Sequence, residues 1–176
     1  MIDFSHNHYL LFGLPERYRF DPAVLDAAYR RLQVAVHPDR HVAGEAAAQR
    51  IALQASARVN EAYRTLRDPV ARAEYLLHLK GVDAVMPADS ALPIDFLGRQ
   101  LERRETAEAA VAGRDLRTLD TLLRDVRADA REIEQQLAAL IDDDAAWNEA
   151  RTPTRELRFL SKLAADIDAM IAAFDD

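Results

Sequence analysis

A chain of 176 residues with 49% hydrophobic and 30% charged residues, and only 5 Gly and 7 Pro, suits two small helical units and is too apolar for a disordered polymer. Cys is absent, which excludes disulfides, thiol catalysis and thiolate metal ligation. The net charge of -7 is uneven, with 11 Lys and Arg against 9 Asp and Glu up to Val82 and 12 against 21 beyond it; an acidic chain lacks the basic clusters that nucleic-acid binding requires.

The opening MIDFSHNHYLLFGLPERYRF has no basic region followed by a long apolar core, so no secretory signal is expected. No apolar run reaches the roughly 18 residues of a bilayer span. A cytoplasmic protein with no membrane partner is the expectation.

Asp21-Pro22 offers an N-cap and a first-turn proline, and Leu25, Ala28, Tyr29, Leu32 and Val36 follow at helical spacing. Pro38 ends that helix near His37, making HPDRHVAG a loop. A longer helix is predicted from near Glu45, with Ile51, Ala55, Val59, Ala62 and Leu66 on one face. Asp68-Pro69 ends it and caps a short helix through Leu79. Residues 1–80 thus read as an antiparallel helical hairpin with short flanking helices. Residues 81–93, GVDAVMPADSALP, lose helical periodicity and read as a linker.

Within residues 94–176, Ile94, Leu97 and Leu101 open one helix. Leu116, Leu119, Leu123, Val126, Ala130, Ile133, Leu137 and Leu140 form a seam on a second, and Leu157, Leu160, Ala164, Ile167, Ile171 and Phe174 form one on a third. Such stripes bury only against one another, which predicts a three-helix bundle and an all-α protein. Thr152-Pro153 either starts the third helix or kinks a longer one beginning near Asp144.

His37-Pro38-Asp39, between a helix containing YRRL and one containing NEAYRTL, resembles the J-domain family. YLLFGLPERYRFD, RTLRDPVARAEYLLHLKG, DFLGRQLERRE and RELRFLSKL extend the likeness over nearly the whole chain to HscB-type co-chaperones. That resemblance implies an N-terminal J-domain linked to a C-terminal three-helix scaffold-binding domain. It also implies stimulation of ATP hydrolysis by an HscA-type chaperone and delivery of an IscU-type iron-sulfur scaffold to it. The alternative is a generic J-domain adaptor bringing another client to a DnaK-type chaperone. No cofactor of its own is expected, and the lack of a cysteine-rich extension points to the bacterial type.

The resemblance places chaperone contact on His37, Pro38 and Asp39. Asp39 offers a carboxylate for charge-assisted pairing with a partner arginine, and Arg30, Arg31 and Arg40 bring positive charge near the loop. It carries the scaffold-binding patch onto Leu97, Leu101, Glu102, Glu105 and Phe159. Gly98 departs from it, standing where relatives often have a larger apolar residue. Phe159 lies off its helix's apolar seam, as an outward-facing aromatic would.

His6, His8, His37 and His41 are not read as a metal site, because His6 and His8 precede the first predicted helix and no Cys or acidic ligand cluster joins them. Asp142-Asp143-Asp144 reads as a solvated turn, lacking the Gly and distal Glu of a calcium loop. With no phosphate-binding or nucleophile motif, an enzyme is not expected.

Overall fold

The computed structural model describes residues 5–36, 46–84 and 92–174. Among these, α1 is His8–Phe12, α2 Pro22–Val36, α3 Ala46–Arg67, α4 Pro69–Leu79, α5 Ile94–Ala112, α6 Leu116–Ala138 and α7 Arg151–Ala172, with no strand. The all-α expectation holds. The chain divides into two compact units, Met1–Leu76 and Leu77–Asp176.

In the first unit Asn7 caps α1 by accepting from the Leu10 N–H at 2.9 Å, and Gly13, at φ 69°, closes the helix in the left-handed conformation that glycine adopts without steric cost. α1 thus begins at His8, earlier than the sequence reading placed the first helix. His8 is buried, its ring stacked at 4.2 Å on Tyr75 and its backbone N–H donating to the Tyr75 hydroxyl at 3.0 Å. The Asp-Pro starts behave as predicted: Asp21 Oδ1 accepts from the Ala23 N–H at 2.9 Å, and Asp68 Oδ1 from the Ala71 N–H at 2.7 Å.

Leu25, Ala28 and Val36 of α2 are buried, as are Ala52, Ala55, Val59, Ala62 and Leu66 of α3. The alanines let two helices approach closely, so a narrow stripe fills the interface. Ile51 is a correction. It is 50% exposed and Ala52 takes the inward position, because steps of three and four back from Val59 reach Ala55 and Ala52.

The second unit begins within the last turns of α4. Gly81, at φ 71°, ends that helix, and the Val82 N–H returns to the Leu77 carbonyl at 2.9 Å. Lys80 lies 5.5 Å over the Trp147 ring, and Arg151 Nε donates to the Asp83 carbonyl at 3.0 Å, tying residues 80–83 to the approach to α7. The loss of periodicity at Gly81 therefore lies beyond the point where the contacts divide, which is inside α4.

Phe96, Ala107 and Ala110 of α5, Leu119, Leu122, Leu123 and Val126 of α6, and Leu160, Leu163 and Ile167 of α7 form one core. Each buried leucine contributes about 1.5–3 kcal/mol of transfer free energy. Leu116, read as the start of the α6 seam, is 39% exposed in the first turn. Asp115 caps α6, accepting from the Thr118 N–H at 3.1 Å and its hydroxyl at 2.7 Å. The hydroxyl contact, followed by the backbone N–H, holds the Asp115 carboxyl below its usual range.

Asp143 and Asp144 are exposed, as the solvated reading of Asp142-Asp143-Asp144 expects, but Asp142 and Asp143 belong to a π turn, Ala139–Asp143, that continues α6 with Ile141 buried rather than to a loop. Pro153 is resolved as a starting proline. α7 begins at Arg151, so the missing Pro153 N–H falls in the first turn, where no intrahelical acceptor is available.

Candidate functional site

On the first unit, α2 presents Arg30 and Arg31 to solvent. Behind them Tyr29 and Tyr63 stack at 4.0 Å, and the Tyr29 hydroxyl donates to Asn60 Oδ1 at 2.9 Å. Gln33 Nε2 donates both to the Tyr29 hydroxyl and to Asn60 Oδ1. One turn earlier Asp26 Oδ1 accepts from Tyr63 at 3.0 Å and from Arg67 Nη1 at 2.7 Å. The Arg67 contact, then that of Tyr63, holds the Asp26 carboxyl below the ordinary range. Burial, then the Asp26 hydrogen bond, raises the Tyr63 phenol.

This network clamps α2 to α3 over the turns leading to Val36, the residue before His37. His37, Pro38, Asp39 and Arg40 lie outside the described residues. The sequence reading used Tyr29 as an apolar helix position and quoted Asn60 and Tyr63 only within a motif. Their pairing across two helices depends on register, which a single sequence does not display.

On the second unit, a groove of about 270 Å³ runs between α5 and α7. Each helix lines it with the same spacing of i, i+3, i+4 and i+7: Leu97, Gln100, Leu101 and Arg104 from α5, and Phe159, Lys162, Leu163 and Asp166 from α7. The shared spacing arises because residues at those steps lie on one face of an α-helix, so α5 and α7 each turn one face toward the groove. Leu97 is 42% exposed, Leu101 59% and Phe159 37%, with the Phe159 ring edge-on to Phe96 at 5.8 Å. Water-facing leucines beside an exposed aromatic form the sort of patch that marks an interaction surface.

Glu102 and Glu105 are exposed on α5 but do not line this groove. Gly98 is exposed, and a Cβ added there meets nothing within 4 Å. Gln100, Arg104, Lys162 and Asp166 were missed from sequence, although their spacing from Leu97 and Phe159 was available. Charged residues at those positions read as a solvated face until two helices bring them together.

Comparison with known proteins covers both units. The DnaJ domain matches residues 7–75, and the HSCB C-terminal oligomerisation domain matches residues 92–168. A co-chaperone protein HscB homolog from Ralstonia nicotianae is 44% identical over 172 residues, covering 98% of both chains. The chain belongs to the HscB co-chaperone family.

Solved HscB structures share its architecture. Chaperone HscB from Vibrio cholerae superposes with a TM-score of 0.85 at 32% identity, covering 96% of this chain and 99% of that one. Human co-chaperone protein HscB gives 0.87 at 25% identity, covering 95% and 83%. The HscB-like resemblance read from the motifs is therefore correct. Among the described residues no group of three or more His, Asp or Glu is placed to hold a metal ion, and no helix is long and apolar enough to cross a membrane.

Proposed function

We propose that this HscB-family protein stimulates ATP hydrolysis by an HscA-type chaperone and hands it an IscU-type iron-sulfur scaffold. His37-Pro38-Asp39 makes the ATPase contact, with Arg30, Arg31 and Arg40 steering an acidic chaperone surface. Leu97, Leu101 and Phe159 hold the scaffold, with Glu102 and Glu105 on the rim. The cluster is cargo: a chain without Cys supplies no thiolate ligand, so the cluster stays on the scaffold during delivery. The observation that carries this reading is the exposed Leu97, Leu101 and Phe159 groove on a J-domain co-chaperone. An apolar face kept open at the cost of water contact suits a partner that covers it.

The test is ATP turnover by an HscA-type chaperone with this protein, an IscU-type scaffold, or both. Joint stimulation beyond either alone is expected. Stimulation without any effect of scaffold would favour the generic adaptor. Asp39→Asn, nearly isosteric but uncharged, is expected to abolish stimulation with the far-UV circular dichroism unchanged; normal stimulation by that variant would reject the role given to Asp39.

A further inference from the structure

The groove between α5 and α7 is chemically graded. Leu97 and Phe159 make one end apolar, with Leu101 one turn in; at the roughly 1.5 Å rise per residue of a helix Lys162 stands about 4.5 Å beyond Phe159, and Arg104 and Asp166 stand about 10 Å beyond Leu97 and Phe159. Arg104 and Lys162 are exposed, and among the described residues neither is in an ion pair. Asp166 is the one anion among the residues lining the groove, against the two cations Arg104 and Lys162, so the lining as a whole carries a net positive charge.

Between the two ends sits Gln100, 3% exposed. Its Oε1 accepts from Arg103 Nη1 at 3.1 Å, and Arg103 is itself held by Asp129 Oδ2 at 2.7 Å. Since an arginine only donates, this contact fixes the amide oxygen toward Arg103 and leaves the NH2 on the other side. That nitrogen has no acceptor, an arrangement uncommon for a buried amide. Two unpaired cations and one unsatisfied donor thus converge on a single groove. All three want an oxygen acceptor, preferably a charged one.

We propose that the charged end of this groove receives an Asp or Glu side chain of the scaffold protein, with Arg104 and Lys162 pairing its carboxylate and the Gln100 amide supplying a further donor. The inference rests on the scaffold-docking reading and adds partner chemistry to it. The docked surface carries apolar side chains for Leu97, Leu101 and Phe159 and a carboxylate one to two helical turns along from Leu97 and Phe159. The apolar end supplies contact area, whereas the charged end sets direction and register, because a partner docked backwards leaves both cations unpaired beside its apolar residues.

The experiment is titration calorimetry of the full-length protein with a purified IscU-type scaffold at about 0.05 and 0.5 M KCl, a range over which exposed charge pairs are progressively screened. Arg104→Glu with Lys162→Glu is expected to weaken binding at low salt about tenfold or more and to flatten the salt dependence. Arg124→Glu with Arg131→Glu, two exposed arginines on α6 outside the groove, matches the change in net charge and is expected to change binding less than about twofold. Gln100→Met keeps size and removes the donor; it is expected to weaken binding about threefold or more with an unchanged or higher melting temperature.

Equal losses in the groove and control variants would overturn the proposal while leaving scaffold docking intact. A wild-type protein that does not bind the scaffold would overturn both. Sedimentation velocity supplies the remaining arm: if the groove variants abolish self-association and leave scaffold affinity unchanged, the occupant is a second copy of this chain and the proposal fails.

Discussion

The α2–α3 flank and the α5–α7 groove solve opposite problems with similar materials. On the first, Tyr29, Gln33, Asn60 and Tyr63 satisfy one another, and Asp26 closes the chain through Arg67, so the polar atoms are spent inside the unit. On the second, leucines face water, two cations lack partners and the Gln100 nitrogen has no acceptor. A surface whose chemistry is complete stiffens the fold, and one whose chemistry is incomplete waits for a partner. The first unit accordingly offers partners the residues standing outside its clamp, Arg30 and Arg31.

The sharpest way to break the contrast is to remove the same side chain from each region. Leu66→Ala, at a fully buried α3 position, is expected to cost about 2–5 kcal/mol in urea unfolding through lost transfer energy and the cavity left behind. Leu97→Ala combined with Phe159→Ala should instead appear in binding. Scaffold affinity in titration calorimetry is expected to fall about 10- to 100-fold, corresponding to about 1.4–2.7 kcal/mol. Unchanged affinity would reject the apolar end of the groove as a docking surface.

Gly98 sharpens the contrast further because space around it is open. Gly98→Ala is expected to raise stability by about 1 kcal/mol through helix propensity alone, read from the urea midpoint. Gly98→Met adds apolar area next to Leu97 and should tighten scaffold binding about threefold or more; an unchanged titration would place Gly98 outside the contact.

The smallest effect belongs to His8. Burial, then Arg58, lowers its pKa from 6.5, and Nδ1 has no hydrogen-bond partner. The unfolded chain therefore takes up a proton first. The stability contributed by the neutral buried ring is complete above pH 6.5 and is lost as pH falls through the lower folded value. His8→Phe preserves the stack on Tyr75 without a titrating group, and urea midpoints between about pH 7 and pH 5 should become flatter. An unaltered slope would remove His8 as its source.

Some features were legible because they depend on neighbours along one helix. The Asp21-Pro22 and Asp68-Pro69 starts, the outward placement of Phe159 and the stripes of α6 and α7 follow from local capping and a 3.6-residue period. The J-domain and HscB-like resemblance was likewise carried by contiguous motifs, and the family comparison agrees with it. Besides the start of α1 and the π turn after α6, the failure is rotational. Ile51 and Ala52 are adjacent and both apolar, so composition did not say which faces α2.

Sequence alone thus determined an all-helical chain, where most helices begin and end, and the family to which it belongs. Only the tertiary structure decided that Leu97 stays exposed, that Glu102 and Glu105 stand outside the groove, and that Gln100, Arg104 and Lys162 belong to it. The physical reason is that helix periodicity sets which residues of one helix share a face, whereas the rotation and register of two packed helices set which faces meet. That choice is made jointly by the whole core rather than by any one segment.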